Sequence, residues 1–380
     1  MNILYTNFHS GNGGGHVTYI LNLLRGLIAQ HSLTVACPAS SRLYRLAAEI
    51  DGVKVVPMEF KARASSWLGA YVRLRALLGR EHFDIVHVNG SADHKQVMLA
   101  VLALAKRPHV VFTKHNNHPL KSLGHRLRAR LATDHVIAVS DYTHNQVMNS
   151  VYRRCDITTI RHGVDTAYFA PVTPEEKSLL RSQYFGEALK EKIILGSAGG
   201  TDLDKGWLDL VCALAALPEP LRGRFHLVVA GDPPEPELLA QVAKLGLLSQ
   251  VSFPGLLDDV RPILAACDVG FVLSYHEALS FACRELMSLG LPVMVTRVGG
   301  LPENLIDGEQ GWIVETRDVA GMAEVLRKIA IQPNLLDLFG HAARAHAQQW
   351  FNLDDFARAT LAVYQKRYAQ NKGNHIRFAR

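Results

Sequence analysis

Residues 277–285 read Glu277-Ala-Leu-Ser-Phe-Ala-Cys-Arg-Glu285, two carboxylates eight positions apart, followed by Leu286-Met-Ser-Leu-Gly290 and then Leu-Pro-Val-Met-Val-Thr before Gly299-Gly300. The run in front of them, Val269-Gly-Phe-Val-Leu273, is short, apolar and β-branched at its start, the pattern of a strand buried on both faces of a parallel sheet. Glu277 is therefore expected to leave the carboxyl end of a parallel strand, and Glu285 to sit in the first turns of the next helix. Open α/β sheets bind ligands at that end. Both carboxylates can accept hydrogen bonds from hydroxyls of one polyol, while the backbone N–H groups at the helix start face a phosphate. A sugar nucleotide contains all of these groups.

Outward from this stretch, strand-like and helix-like runs alternate along the whole chain, the mark of doubly wound parallel sheets. In the first half Asn2–Thr6, Leu33–Cys37, Val53–Pro57, Ile85–Val88, Val110–Thr113 and Val136–Val139 read as strands, with amphipathic helices such as Val17–Gln30 and His94–Ala105 between them. A break follows Asp165, and Tyr168-Phe-Ala-Pro-Val-Thr-Pro174 reads as a linker, because proline neither donates to a sheet nor continues a helix. In the second half Ile193–Gly196, Phe225–Ala230, Val251–Phe253, Val269–Leu273, Val293–Val295 and Gly311–Val314 read as strands. A chain of 380 residues exceeds one ordinary core, so two domains are expected.

Composition narrows the function classes. The chain is 48% hydrophobic and 20% charged, without the eighteen or so uninterrupted apolar residues of a membrane span, and it enters a strand directly where a signal peptide would stand. A cytoplasmic location is the expectation. Five cysteines without a C-x-x-C pair suggest neither a disulfide framework nor a thiolate zinc site, and read as small buried hydrophobes. Lys and Arg against Asp and Glu count 20 against 10 in residues 1–165 and 21 against 25 in residues 166–380, a net +10 followed by −4. A basic half attracts phosphates or anionic headgroups. No nucleic-acid motif accompanies it, which sets nucleic acid aside. The segment from Lys61 to Arg80 interleaves bulky apolar and basic residues at helical spacing, and His125-Arg-Leu-Arg-Ala-Arg130 adds positive charge. These fit either an anionic membrane surface or an ordinary helix with Trp67 and Leu74 inward and its basic residues solvated.

Further groups with chemical potential lie at strand ends. Gly11-Asn-Gly-Gly-Gly15-His16 opens a helix after the first strand and lets backbone N–H groups approach an anion, whereas G-x-G-x-x-G fails at His16 and no ribose-binding acid follows the second strand. A dinucleotide-dependent dehydrogenase is thereby disfavoured. Phe112-Thr-Lys-His115-Asn116 ends a strand in the first half, and Asp202-Leu-Asp204-Lys205-Gly206 follows the first strand of the second. Asp202 and Asp204 form a D-x-D that reads as loop and helix-capping acids.

The 277–285 block, with its continuation from Val293 to Glu303, resembles the E-x7-E signature of retaining glycosyltransferases of family 4, and the likeness extends over essentially the whole chain. The resemblance implies an α/β GT-B fold: two Rossmann-like, doubly wound parallel-sheet domains facing across a cleft. It implies an acceptor-binding domain at 1–165, a nucleotide-sugar donor domain at 166–350, and a final helix and basic tail at 351–380 that cross back to the first domain. It implies catalytic roles for His115, Lys205 and Glu277. It assigns donor contacts to Gly14, Gly15, Lys205, Leu256, Glu277, Ala278, Leu279, Ser280, Phe281 and Glu285, and acceptor contacts to Gly13, His16 and His115. Lys205-Gly206 matches the family's K-G, but Gly199-Gly200 stands where an arginine is usual; Arg284 is either the nearest sequence candidate to compensate or a surface charge. The resemblance implies no metal and no cofactor beyond the nucleoside diphosphate sugar. The implied activity is hexosyl transfer with retention to a glycan or lipid-linked glycan, as in lipopolysaccharide or other envelope polysaccharide synthesis, at the inner face of the cytoplasmic membrane. Alternatives are a sugar-nucleotide-binding protein without transfer activity and a GT-B epimerase or phosphorylase.

Overall fold

Strands such as Ile85–Val88 and Phe225–Val229 are apolar at nearly every position and buried throughout, which requires a sheet covered on both faces. The computed structural model describes residues 1–11, 14–61, 64–102 and 104–377. It divides into two compact units, one of residues 1–163 with 353–380 and one of residues 164–352.

In the first unit seven parallel strands, β1 (Asn2–Thr6), β2 (Ser32–Cys37), β3 (Lys54–Pro57), β4 (Ile85–Val88), β5 (His109–Lys114), β6 (His135–Ala138) and β7 (Asp156–Thr159), stand in the order β3-β2-β1-β4-β5-β6-β7. The register sets Ile3 beside both Leu33 and Ile85. The strand order reverses between β1 and β4. The helix Leu353–Arg377 belongs to this unit and packs on the helix Gly14–Leu27. Gly26 permits the contact, since a Cβ there would lie 2.6 Å from the Ala357 Cβ. The buried Tyr364 hydroxyl lies 2.6 Å from His87 Nδ1 and ties that helix to β4.

The second unit has six parallel strands, β8 (Ile193–Ser197), β9 (Phe225–Val229), β10 (Val251–Ser252), β11 (Val269–Val272), β12 (Val293–Thr296) and β13 (Gly311–Val314), in the order β10-β9-β8-β11-β12-β13. Its order reverses between β8 and β11. Trp207, Phe225, Leu227, Phe271 and Met294 are among the residues of its core.

Two sequence expectations need correction. Asp156–Thr159 was not expected as a strand; it is a half-buried, polar edge strand, and its single apolar residue gives no alternating signal. The 168–174 segment is not linker throughout: Thr173 caps the helix Pro174–Phe185 in a reciprocal capping box with Glu176, and Pro174 is its first residue, where a missing N–H costs nothing. All five cysteines are free, with Cys37, Cys267 and Cys283 buried. No helix among the described residues is long and apolar enough to cross a membrane.

Candidate functional site

In the second unit the loops that follow β8 and β11 flank the reversal of strand order, the position where open sheets form a ligand crevice. The Tyr275 N–H donates to the Asp204 carbonyl at 2.7 Å and joins the two loops. Lys205 ends the short 3-10 turn Leu203–Lys205, and Gly206 follows in the left-handed region with φ of 69°. The expectation that Asp202 caps this turn through its side chain is not met: the Asp202 carbonyl, not its carboxylate, accepts the Lys205 N–H at 2.9 Å.

Glu277 stands beyond the end of β11, as expected, within electrostatic reach of Lys205. Burial pushes its carboxyl up, while the charge of Lys205 and the N–H groups of Ala278 and Leu279 pull it back down. Ala278, Leu279, Ser280 and Phe281 are buried and lead into the helix Phe281–Ser288. Ser280 caps that helix, its Oγ accepting the Cys283 N–H at 3.3 Å, yet its φ is 85°. A serine held there stores strain in the loop between the two glutamates. Glu285 lies in the second turn of the helix, half-buried. Leu256 is on the loop after β10, the edge strand, and is 56% exposed.

Arg284 does not replace the missing cation. It is 1% exposed, its guanidinium lies 4.2 Å from the Phe351 ring centre, and its Nε donates to Asn304 Oδ1 at 2.8 Å. Asn304 in turn donates to the carbonyls of Leu279 and Leu301, so Arg284 braces the signature loop from inside the fold. The Gly199-Gly200 pair has its own physical reason. Gly200 has φ of 97°, and a Cβ on Gly231, after β9, would lie 2.7 Å from the Gly200 Cα. The loops after β8 and β9 pack backbone to backbone, and Gly231 N–H then donates to the Gly255 carbonyl after β10.

In the first unit Gly14, with φ of 47°, and Gly15 open the helix Gly14–Leu27, both exposed. Gly13 lies outside the described residues. His16 and His115 come together, ring centres 4.3 Å apart, with His9 4.6 Å from His16 and Tyr19 4.5 Å from His115. Burial and then the neighbouring His9 push His16 down to about 3, and burial with the surrounding histidines holds His115 well below the ordinary imidazole value. These imidazoles are neutral hydrogen-bonding groups near pH 7.

Sequence reading missed the supports. Lys114 is buried, with Nζ donating to Asn116 Oδ1 at 2.9 Å and the His118 carbonyl at 2.6 Å, which shapes the loop after β5; burial pushes it down to about 8. The Thr296 hydroxyl, at the carboxyl end of β12, donates to the Ser274 carbonyl at 2.7 Å and fixes the loop after β11. Polar residues at the carboxyl ends of otherwise apolar strands are the one signal that could have marked them.

Two Rossmann-like units of parallel strands covered by helices form the architecture of the GT-B glycosyltransferases. Residues 13–168 match the model of Glycosyltransferase Family 4 and residues 183–346 that of Glycosyl transferases group 1; the chain belongs to this family of glycosyltransferases. The N-acetyl-alpha-D-glucosaminyl L-malate synthase of Bacillus anthracis is 28% identical over 306 residues, 78% of each chain. The alpha-maltose-1-phosphate synthase of Mycobacterium tuberculosis is 27% identical over 94% of this chain and 95% of its own. Among solved structures, Anabaena Alr3699/HepE in complex with UDP superposes with a TM-score of 0.82 at 20% identity, covering 96% of this chain and 100% of that one.

Proposed function

We propose that the protein transfers a hexose-type sugar from a nucleoside diphosphate donor to an acceptor hydroxyl with retention of configuration and without a bound metal. The observation that carries the reading is the joining of the loops that bear Lys205 and Glu277 at the strand-order reversal of the second unit, through the Tyr275 N–H and the Asp204 carbonyl. In this reading Lys205 and the N–H groups at the start of the helix Phe281–Ser288 stabilise the departing diphosphate, Glu277 holds sugar hydroxyls, and Glu285 holds the ribose. Leu256 and its neighbours contact the base, and Gly14 and Gly15 the diphosphate. Gly13, His16 and His115 serve the acceptor and the transferring sugar. Positioning and preorganised charge supply the rate enhancement.

Support for the donor comes from Alr3699/HepE, solved with UDP and with UDP-glucose. Support for retention comes from the two curated relatives, both named for alpha-configured products. For the acceptor we favour a glycan or glycolipid of the envelope, such as lipopolysaccharide core, presented at the inner face of the cytoplasmic membrane. The basic first half supports this, together with an exposed face of Leu123, Arg126, Leu127 and Arg130 on the helix Leu123–Leu131. A small anionic acceptor is the second reading, favoured by relatives named for L-malate and maltose-1-phosphate products.

The test is a panel of UDP-, GDP- and ADP-sugars with glycolipid and small anionic acceptors, reading glycoside formation and its anomeric configuration. Glycoside beyond donor hydrolysis is expected, with the donor's configuration kept and chelator without effect. Binding without transfer would make the protein a sugar-nucleotide receptor, and an inverted product would end the retaining reading. Activity abolished by chelator and restored by Mn²⁺ would overturn metal independence.

A further inference from the structure

Asn89 follows β4 directly at the strand-order reversal of the first unit and is 1% exposed. Its Nδ2 lies 3.2 Å from the Thr6 carbonyl and 3.3 Å from the His87 carbonyl. Both are acceptors only, so the amide nitrogen must face them and the amide oxygen must point the other way. That oxygen lies 2.9 Å from His115 Nε2. An amide oxygen can only accept, so His115 carries its proton on Nε2, and a neutral ring then has its lone pair on Nδ1.

Asn89 is itself held from several sides. Its backbone N–H donates to Asp93 Oδ2 at 3.0 Å, and the same oxygen accepts the Thr6 hydroxyl at 2.7 Å. Gly90 leaves no room for adjustment, because a Cβ there would fall 2.1 Å from the Phe8 ring and 2.9 Å from Asp93 Oδ1.

We propose that Asn89 is a positioning residue for the transfer reaction: it holds His115 in the Nε2–H tautomer, so that Nδ1 accepts a hydrogen bond from a substrate hydroxyl. This rests on the assignment of His115 to the site. The opposite tautomer, or an imidazolium, would present N–H at Nδ1 and lose the acceptor.

The test combines ¹⁵N-histidine NMR of the full-length enzyme, with the His115 signal assigned by its loss in His115→Ala, and kinetics of Asn89→Ala and Asn89→Asp. Wild type is expected to show the neutral Nε2–H form. Asn89→Ala is expected to lose that tautomer preference and to lower kcat by about tenfold or more, with nucleoside diphosphate affinity unchanged. Asn89→Asp keeps an acceptor for Nε2–H and is expected to retain most of the rate at high pH, losing it on acidification as the carboxylate favours the imidazolium. An Nδ1–H or charged His115 in wild type overturns the proposal, as does full kcat in Asn89→Ala while His115→Ala is impaired. Normal turnover in His115→Ala would instead remove His115 from the site, a separate failure. Should Asn89→Ala fail to fold, the wild-type spectrum and the pH profile of Asn89→Asp still decide.

Discussion

Gly206 rests against the backbone of Leu273 so closely that a Cβ on it would lie 2.0 Å from the Leu273 carbonyl oxygen. This contact locks the turn bearing Lys205 onto the end of β11, from which Glu277 departs. Gly206 also has φ of 69°, a conformation that an L side chain adopts only under strain. Gly206→Ala is expected to cost more than about 2 kcal/mol, from left-handed strain and the backbone clash together, and to displace Lys205. Chemical denaturation and nucleoside diphosphate affinity should both fall, whereas Lys205→Ala should lower affinity with stability nearly intact. A Gly206→Ala protein with wild-type stability would show that the contact does not hold the loop.

Ser280 offers the reverse experiment. Its left-handed backbone favours glycine, while its hydroxyl caps the helix Phe281–Ser288. Replacing a capping serine by glycine costs only a few tenths of a kcal/mol, and relieving left-handed strain returns about 1–2 kcal/mol. Ser280→Gly should therefore stabilise the protein by about 1 kcal/mol, and Ser280→Ala should destabilise it by about 1 kcal/mol, since it loses the cap and keeps the strain. Equal stabilities for the two variants in urea titrations would refute the strained reading.

Glu285→Gln addresses the ribose. In the proposed function its carboxylate accepts hydroxyl hydrogen bonds, and a hydrogen bond to a charged group contributes roughly 1.5–3 kcal/mol. Calorimetry should show affinity for the free nucleoside diphosphate reduced about tenfold or more. Unchanged affinity in a folded variant removes Glu285 from the donor site.

The legible parts of this molecule were those written in short-range pattern. Apolar runs such as Val269–Val272 gave the strands, and the placement of Glu277 after one of them gave the second-unit site. Asp156–Thr159 was missed because a polar edge strand has no apolar period. Arg284 was misplaced because a charged residue beside two glutamates looks like part of their site, while the helix turns it toward Asn304 and Phe351. Asn89, Thr296 and Asn304 act on residues up to 83 positions away, through hydrogen bonds that leave no local trace.

The basic, apolar surface of the first unit makes a prediction of its own. Leu123, Arg126, Leu127 and Arg130 fall on one exposed face of a helix, with Leu123 70% exposed. On the helix Ala64–Glu81 Leu74 is buried and Trp67 stacks on Tyr71, whereas Leu68, Val72, Arg73 and Arg75 are exposed. Arg63 lies outside the described residues. Each basic residue near an anionic leaflet contributes about 1 kcal/mol, screened by salt. The protein should sediment with anionic vesicles at low salt, less so after Leu123→Gln with Arg126→Gln, and turnover of a soluble acceptor should persist. No sedimentation of wild type at low salt would leave these faces as ordinary solvated helices.

Stability should fall on acidification because the first unit buries neutral histidines. His87, fully buried between Tyr364 and Thr113, is pushed down from 6.5 to about 3, and His94, 1% exposed against Phe112, is held well below 6.5; burial is the main cause in both. The unfolded chain takes up protons below about pH 6.5 that the folded chain refuses. The stabilisation is therefore complete above that pH and lost as pH falls toward the folded values. Between about pH 8 and pH 5 each such histidine should cost ~2 kcal/mol. Asp93 works the other way: burial raises it from 3.8 to about 6, so the folded chain gains its proton first and is stabilised as pH falls across that window. Asp93 and Glu277, both carboxyls pushed up by burial, are set against a larger number of histidines, with His16 and His115 also held neutral, and a net loss remains. Urea midpoints should drop between pH 8 and pH 5, and His94→Gln should flatten the slope without abolishing folding. Constant or rising stability over that range would mean that these imidazoles are protonated in the folded protein.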